Sequence, residues 1–138
     1  MKEEEMLQEK YIEMKMIEEQ MKEMQQNAAA LEQQLFELIT VKQSLDDFKK
    51  TNKGNEILAP ISPGIFAKAE LKDSKEFLVN VGANIVVKKD IESTKKLIGS
   101  QVEEVRGLHS KVMVQMQRIA LHASSVEEEL KKLASKLQ

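Results

Sequence analysis

Apolar residues in the first fifty positions recur at alternating steps of three and four. From Leu7 the series runs through Met14, Ile17, Met21, Met24, Ala28, Leu31, Leu35, Leu38 and Leu45, interrupted by Lys10 and Lys42. A 3.5-residue apolar period is the a/d seam of a coiled coil, in which two helices supercoil around one another. A lysine at one seam position lowers stability but fixes register. The run Lys49-Lys50-Thr51-Asn52-Lys53-Gly54 ends the helix, because basic residues suit the negative end of the helix dipole and Asn52 or Gly54 accepts a left-handed backbone. The period returns at Ile91. It holds without a slip through Lys95, Ile98, Val102, Val105, His109, Val112, Met116, Ile119, Ala123, Val126, Leu130, Leu133 and Leu137. Asp90 stands before it as an N-cap. Gly99 and Gly107 lie inside this second helix at a cost of about 1 kcal/mol each relative to Ala, and close packing or local flexibility would account for them.

Between the two helices the period shortens to two. Strands are expected at 56–61, 65–72, 77–81 and 85–89. Ser62-Pro63-Gly64 is a turn by mechanism, since Pro presets φ and Gly accepts a positive φ. Asp73-Ser74-Lys75 and Gly82-Ala83-Asn84 are the other two connections. Ile65, Ala67, Ala69 and Leu71 fall on one side of their strand, opposite Lys68 and Glu70, and Phe77, Val79 and Val81 alternate around Asn80. The pattern is α+β, a long antiparallel two-helix coiled coil with two β-hairpins inserted between the helices. It reads as one domain, 1–138, in three segments: a helix at 1–52, hairpins at 55–89 and a helix at 90–138. Each helix would be about 70 Å long at 1.5 Å per residue. Antiparallel pairing would put both chain ends together, away from the hairpins.

This layout implies company. Two-stranded hairpins are marginal in water and leave unpaired edges, and a coiled-coil seam offers no globular core to cover them. The apolar strands therefore call for strands from other chains. At the free end, six of the eight methionines fall within the first 24 residues: Met1, Met6, Met14, Met16, Met21 and Met24. Tyr11, Ile12 and Met16 are off the seam, which makes the tip apolar on more than one face. Met is unbranched and polarizable, and it recurs where a surface must adapt to many partners. An adaptable tip for unfolded chains and an ordinary seam that packs with Met are both compatible with this pattern.

Composition narrows the function. Charged residues make up 32% and aromatics 4% of the chain, the formal net charge is −2, and there is no Cys. Disulfides, a thiol nucleophile and a Cys-ligated metal are excluded, in keeping with a reducing cytoplasm. No basic stripe suggests nucleic acid, no apolar run suggests a membrane span, and the opening Met-Lys-Glu-Glu-Glu is unlike a signal peptide. No phosphate loop, Rossmann fingerprint or metalloprotease His pair is present. His109 lies on the seam and His122 off it, as core or surface residues rather than ligands. Carboxylate runs such as Glu3-Glu4-Glu5 and Glu127-Glu128-Glu129 sit on solvated faces without a cavity to raise a pKa, so an enzyme is not expected. No metal and no cofactor are expected either.

The β segment carries a resemblance. Glu56-Ile57-Leu58-Ala59-Pro60-Ile61, Phe66-Ala67-Lys68-Ala69-Glu70-Leu71-Lys72-Asp73, Leu78-Val79-Asn80-Val81-Gly82-Ala83 and Ile85-Val86-Val87-Lys88-Lys89 resemble the strands and valine-glycine turn of the archaeal-type prefoldin α class. The helices match in length and pattern. Ser62-Pro63-Gly64 and Asn84 depart from the small residues and glycines usual at those turns, yet remain turn-compatible. The resemblance implies a hexamer of two α and four β prefoldin subunits around a β-barrel platform, with tips that hold unfolded client proteins and deliver them to a group II chaperonin without nucleotide. Ile57, Leu58, Phe66, Ala69, Leu71, Val79, Val81, Ile85 and Val87 would then build the platform. Met6, Leu7, Tyr11, Met14, Ile17, Leu130, Leu133 and Leu137 would meet clients. A structural coiled-coil spacer or filament former assembled through the same hairpins is the competing reading, and an arm of a larger machine is a third.

Overall fold

The structure, a computed structural model, describes residues 2–137. The elements are α1 (Lys2–Lys49), β1 (Glu56–Ser62), β2 (Ile65–Glu70), β3 (Glu76–Gly82), β4 (Ile85–Asp90) and α2 (Ile91–Lys136). Residues Phe36–Glu104 form one compact unit, and the flanking helical segments form a second.

In the flanking unit the two helices pair antiparallel. Lys10 bonds Glu129, Glu13 meets His122, and Glu32 meets His109, so each step forward along α1 is a step back along α2. Burial follows the apolar period: Ile17, Ala28, Val105 and Val126 are buried, while Leu7, Met14, Met21, Met24, Leu31, Val112, Met116 and Leu130 are half-covered. Val126, at 2% exposure, is the most completely enclosed of the described side chains. The seam is thus narrow, as a two-helix coil requires.

Within the Phe36–Glu104 unit the helices are antiparallel, joined by Asp46–Lys95 and Lys49–Glu92, with Leu45 and Val102 buried. Helix α1 ends in tightened i→i+3 bonds, Lys50 N to Asp47 O and Thr51 N to Phe48 O. Gly54, at φ 89°, turns the chain into β1, and its N–H donates to Leu71 O at 2.7 Å. Asp90 caps α2, its Oδ1 accepting the Ser93 N–H at 2.7 Å, which satisfies one of the free donors of a helix N-terminus. Thr94, buried, donates its hydroxyl to Asp90 O.

Each hairpin is a separate two-stranded antiparallel sheet, β1 with β2 and β3 with β4. Among the described residues of the single chain the strands form no closed barrel. Glu56 pairs with Glu70 and Glu76 with Asp90 at the roots; Ser62 pairs with Ile65 and Gly82 with Ile85 at the turns. Strand β2 stops at Glu70, two residues before the expected Lys72, although Leu71 N still reaches Asn55 O. Gly64 at φ 82° completes a Pro-Gly turn of type II. The second turn places both Ala83 and Asn84 at positive φ, 51° and 60°, the signature of the mirror-image type I′ hairpin turn.

The two hairpins repeat one another at twenty-residue spacing. Ile61 and Val81 are equivalent bulges, each the extra residue before the turn. The exposure pattern of β1 recurs in β3 and that of β2 in β4. Glu56/Glu76, Leu58/Leu78, Ile65/Ile85 and Lys68/Lys88 are identical pairs. Close packing does not explain Gly99 or Gly107, since a side-chain carbon at either would meet nothing within 4 Å.

Candidate interaction surfaces

No metal-binding cluster occurs among the described residues, and no helix of the described chain is long and apolar enough to cross a membrane. What the fold displays instead is uncovered apolar surface, most of it in two places.

The first is the outer part of the paired helices. Of the residues expected at the tip, Met6, Tyr11 and Leu137 are exposed. Leu7, Met14, Leu130 and Leu133 are half-covered by the seam. Ile17, at 5% exposure, is interior and supports the surface from beneath. Met1 lies outside the described residues. Ile12 and Met16 are more exposed than any of these, because they stand on the side of α1 away from the seam. A charged network ties the two helices here. Lys10 Nζ donates to Glu129 Oε2 at 2.7 Å and to Glu13 Oε2 at 3.1 Å, while Glu13 Oε1 meets His122 Nε2 at 3.0 Å. The Glu129 hydrogen bond raises the Lys10 pKa above its ordinary 10.5, and the Lys10 hydrogen bond lowers that of Glu13 below 4.5. Sequence reasoning placed His122 off the seam and gave Glu13 no role. The register of the antiparallel pair, which no single helix encodes, brings them together.

The second is the hairpin pair. Eight large apolar side chains stand exposed: Leu58, Ile61, Ile65 and Phe66 in the first hairpin, Leu78, Val81, Ile85 and Val86 in the second. These are four pairs related by the twenty-residue repeat. Of the residues expected to build a platform, Leu58, Phe66, Val81 and Ile85 are in this exposed set. Ile57, Ala69, Leu71, Val79 and Val87 are half-covered. Ile57 pairs with Ala69, and Val79 with Val87, across their ladders. Ile61, Ile65, Leu78 and Val86 were not singled out from sequence. Aligning the segment on itself at twenty residues would have found Leu78 from Leu58 and Val86 from Phe66.

Beside the hairpins, Val41, Leu45 and Phe48 of α1 join Ile57, Leu71, Phe77 and Leu78 in lining an apolar groove of about 530 Å³, rimmed by Asp73 and Glu76. The Phe48 and Phe77 rings meet edge to face, centroids 5.9 Å apart at 87°, which anchors the second hairpin to the helix.

Comparison with known proteins agrees with this geometry. The family described as Prefoldin subunit matches residues 17–136. The prefoldin subunit alpha of Methanobrevibacter smithii is 27% identical over 114 residues, covering 83% of this chain and 77% of that protein. The prefoldin subunit alpha of Methanococcus vannielii is 22% identical over 132 residues, covering 96% and 88% respectively. Among solved structures, a filamentous prefoldin of Methanocaldococcus jannaschii superposes with a TM-score of 0.75 at 15% identity, over 84% of this chain and 96% of that one, and shares the fold. Two long helices with two antiparallel hairpins between them, matched along nearly their whole length, place the chain in the prefoldin subunit family, in its alpha class.

Proposed function

We propose that this chaperone subunit holds non-native proteins at the outer ends of its paired helices, without nucleotide, and passes them to a group II chaperonin in the cytoplasm. It acts within a mixed complex of two α and four β subunits joined through the hairpins. The observation that carries this reading is the distribution of exposed apolar surface. Large uncovered side chains gather at the Met-rich outer helices and at four repeat-related pairs of strand positions, the two places where capture and assembly would each need them.

Capture falls to Met6, Leu7, Tyr11, Met14, Leu130, Leu133 and Leu137, with Ile17 as the buried support. Assembly falls to the exposed Leu58, Phe66, Val81 and Ile85 and to the half-covered Ile57, Ala69, Leu71, Val79 and Val87. Isolated hairpins of this size are marginal alone and gain stability when their edges are paired. Several weak apolar tips held on one complex reach an avidity that none has singly.

The test removes the first and last dozen residues and co-expresses the trimmed chain with a β-class subunit. Aggregation of a denatured client should no longer be suppressed, while the native mass stays that of a mixed hexamer less the trimmed segments. Equal protection by the trimmed complex would move client binding elsewhere. A second reading, self-assembly through the hairpins into a filament, draws on the neighbour described as filamentous and on the unpaired outer edges of the described strands. An open polymer formed by this chain alone, indifferent to a β-class subunit, would favour it.

A further inference from the structure

Each helix of the outer unit carries a second stripe, two residues on from its seam. At 3.6 residues per turn this is a rotation of about 200°, so the stripe points away from the partner helix. On α1 it reads Glu9, Ile12, Met16, Glu19 and Glu23; on α2 it reads Lys111, Val114, Arg118, Leu121 and Ser125. All ten residues are exposed. Leu121 is 72% and Met16 65% exposed, unusual for apolar side chains placed opposite a coiled-coil seam. Both stripes therefore present two apolar residues, but their charges are opposite. Residues 2–35 hold nine Glu against four Lys, whereas Val105 to Val126 holds Arg106, Lys111 and Arg118 and no acidic residue.

We propose that the outward stripe of α2 docks the outward stripe of α1 in a second copy of this chain, so that neighbouring coiled coils lie side by side. At the levels set by the Lys10–Glu129 and Glu13–His122 pairs, Met16 of one copy meets Leu121 of the next, Glu19 meets Arg118, and Glu23 lies within a turn of Lys111. The two stripes lie on opposite sides of the helix pair, so the contact is heterologous: α1 of one copy meets α2 of the next. Its apolar area is small, below what holds free dimers together. It becomes effective when copies are already gathered and the local concentration is in the millimolar range. The occupant is a copy of the same chain because the acidic, apolar stripe that fits the basic one is present on α1.

The chain contains no cysteine, which permits a direct test on the full-length protein. Met16→Cys and Leu121→Cys are prepared separately, then assembled together with a cysteine-free β-class subunit, so that copies are gathered, and oxidised at low salt. The mixture should form disulfide-linked pairs about tenfold more readily than either variant alone, a preference of about 1.4 kcal/mol. At 1 M NaCl, where screening shortens to about 3 Å, the excess should largely vanish. Lys111→Glu with Arg118→Glu should abolish the excess, and Glu19→Lys with Glu23→Lys in the partner copy should restore it. Equal cross-linking in the unmixed variants would overturn the heterologous contact. Cross-linking indifferent to the charge reversals would overturn the pairing of the stripes. A basic stripe that bound an acidic helical peptide while leaving the mixed variants unlinked would assign the surface to a different partner.

Discussion

Replacing Leu58 and Leu78 with Ala should weaken assembly without unfolding the subunit. Full burial of a leucine side chain contributes about 1.5–3 kcal/mol. In the single chain Leu58 remains 61% and Leu78 72% exposed, so most of that contribution is still unrealised. If a partner strand covers both, each supplies about 1–2 kcal/mol on association, and part of this survives in the alanine methyl. The pair of substitutions should then cost about 2–3 kcal/mol, roughly 30- to 150-fold in the association constant. Sedimentation equilibrium with a β-class subunit reads this directly. Helical circular dichroism of the isolated variant is the control, since truncating exposed side chains changes subunit stability by only about 0.5 kcal/mol. A well-folded double variant that assembled within threefold of the parent would refute the assignment of this face to assembly. Equal effects of the two single variants are expected from the repeat, and a strong effect of only one would show that the hairpins take different partners.

Other consequences follow from local geometry. Ala83→Asn should stabilise the second hairpin by about 0.5–1 kcal/mol, because Asn tolerates the positive φ that strains Ala, whereas Gly82→Ala, at φ 117°, should destabilise it by about 1–2 kcal/mol although space for the methyl is open; urea midpoints check both signs. Val126→Ala, at the most enclosed seam position, should lower stability by about 2–3 kcal/mol by leaving a cavity, read by thermal unfolding. Hydrogen bonds from Lys95 to Asp46, from the Ser93 backbone to Asp90 and from Lys49 to Glu92 lower the pKa of each acid in the folded chain. Their stabilisation is present above the ordinary values of 3.8 and 4.5 and is lost as pH falls through the depressed ones. Lys10 and Lys95 are raised above 10.5 by Glu129 and Asp46, so their contribution is full below 10.5 and is lost as pH rises beyond it. Melting temperature should hold a plateau between those limits and fall on both sides, and Asp46→Asn should flatten the acid limb.

The helices were legible because a 3.5-residue period is dense information. From Leu7 to Leu133 almost every seam position is covered, and Lys42 is the exposed exception. The hairpins were legible because Pro63-Gly64 and the Gly82 turn punctuate alternating strands. What was not legible is which strand face stays open. Alternation separates two faces, but it cannot rank them when Leu58 and Phe66 lie on one and Ile57 and Val79 on the other. Only the placement of Phe77 against Phe48 shows which face the helix covers in the second hairpin. The outer helix residues show the same difficulty. Ile17 reads as apolar and terminal, yet it is interior because it occupies the seam, while Ile12 and Met16 stand outside it.

The polar residues in the seam carry a further lesson about register. An apolar 3.5-residue seam stays in phase when one helix slides by seven residues, so it does not by itself choose an alignment. Lys10, His109 and Lys95 interrupt the apolar series, and each reaches a carboxylate on the opposite helix: Glu129, Glu32 and Asp46. Sliding one heptad in one direction would set these three against Lys136, Ile39 and Lys53; sliding in the other would set them against His122, Gln25 and Ile39. Neither slipped alignment offers an acid to any of the three. Two lysines left beside cations or aliphatic groups in a half-covered seam lose their cross-helix hydrogen bonds, Lys10 keeping only Glu13 of its own helix, which is unfavourable whatever the apolar contacts regain. The same residues that lower the seam's maximum stability therefore exclude its nearest competitors. The alignment they select is the one that meets Asp46 with Lys95 and Lys49 with Glu92, where both helices join the hairpins.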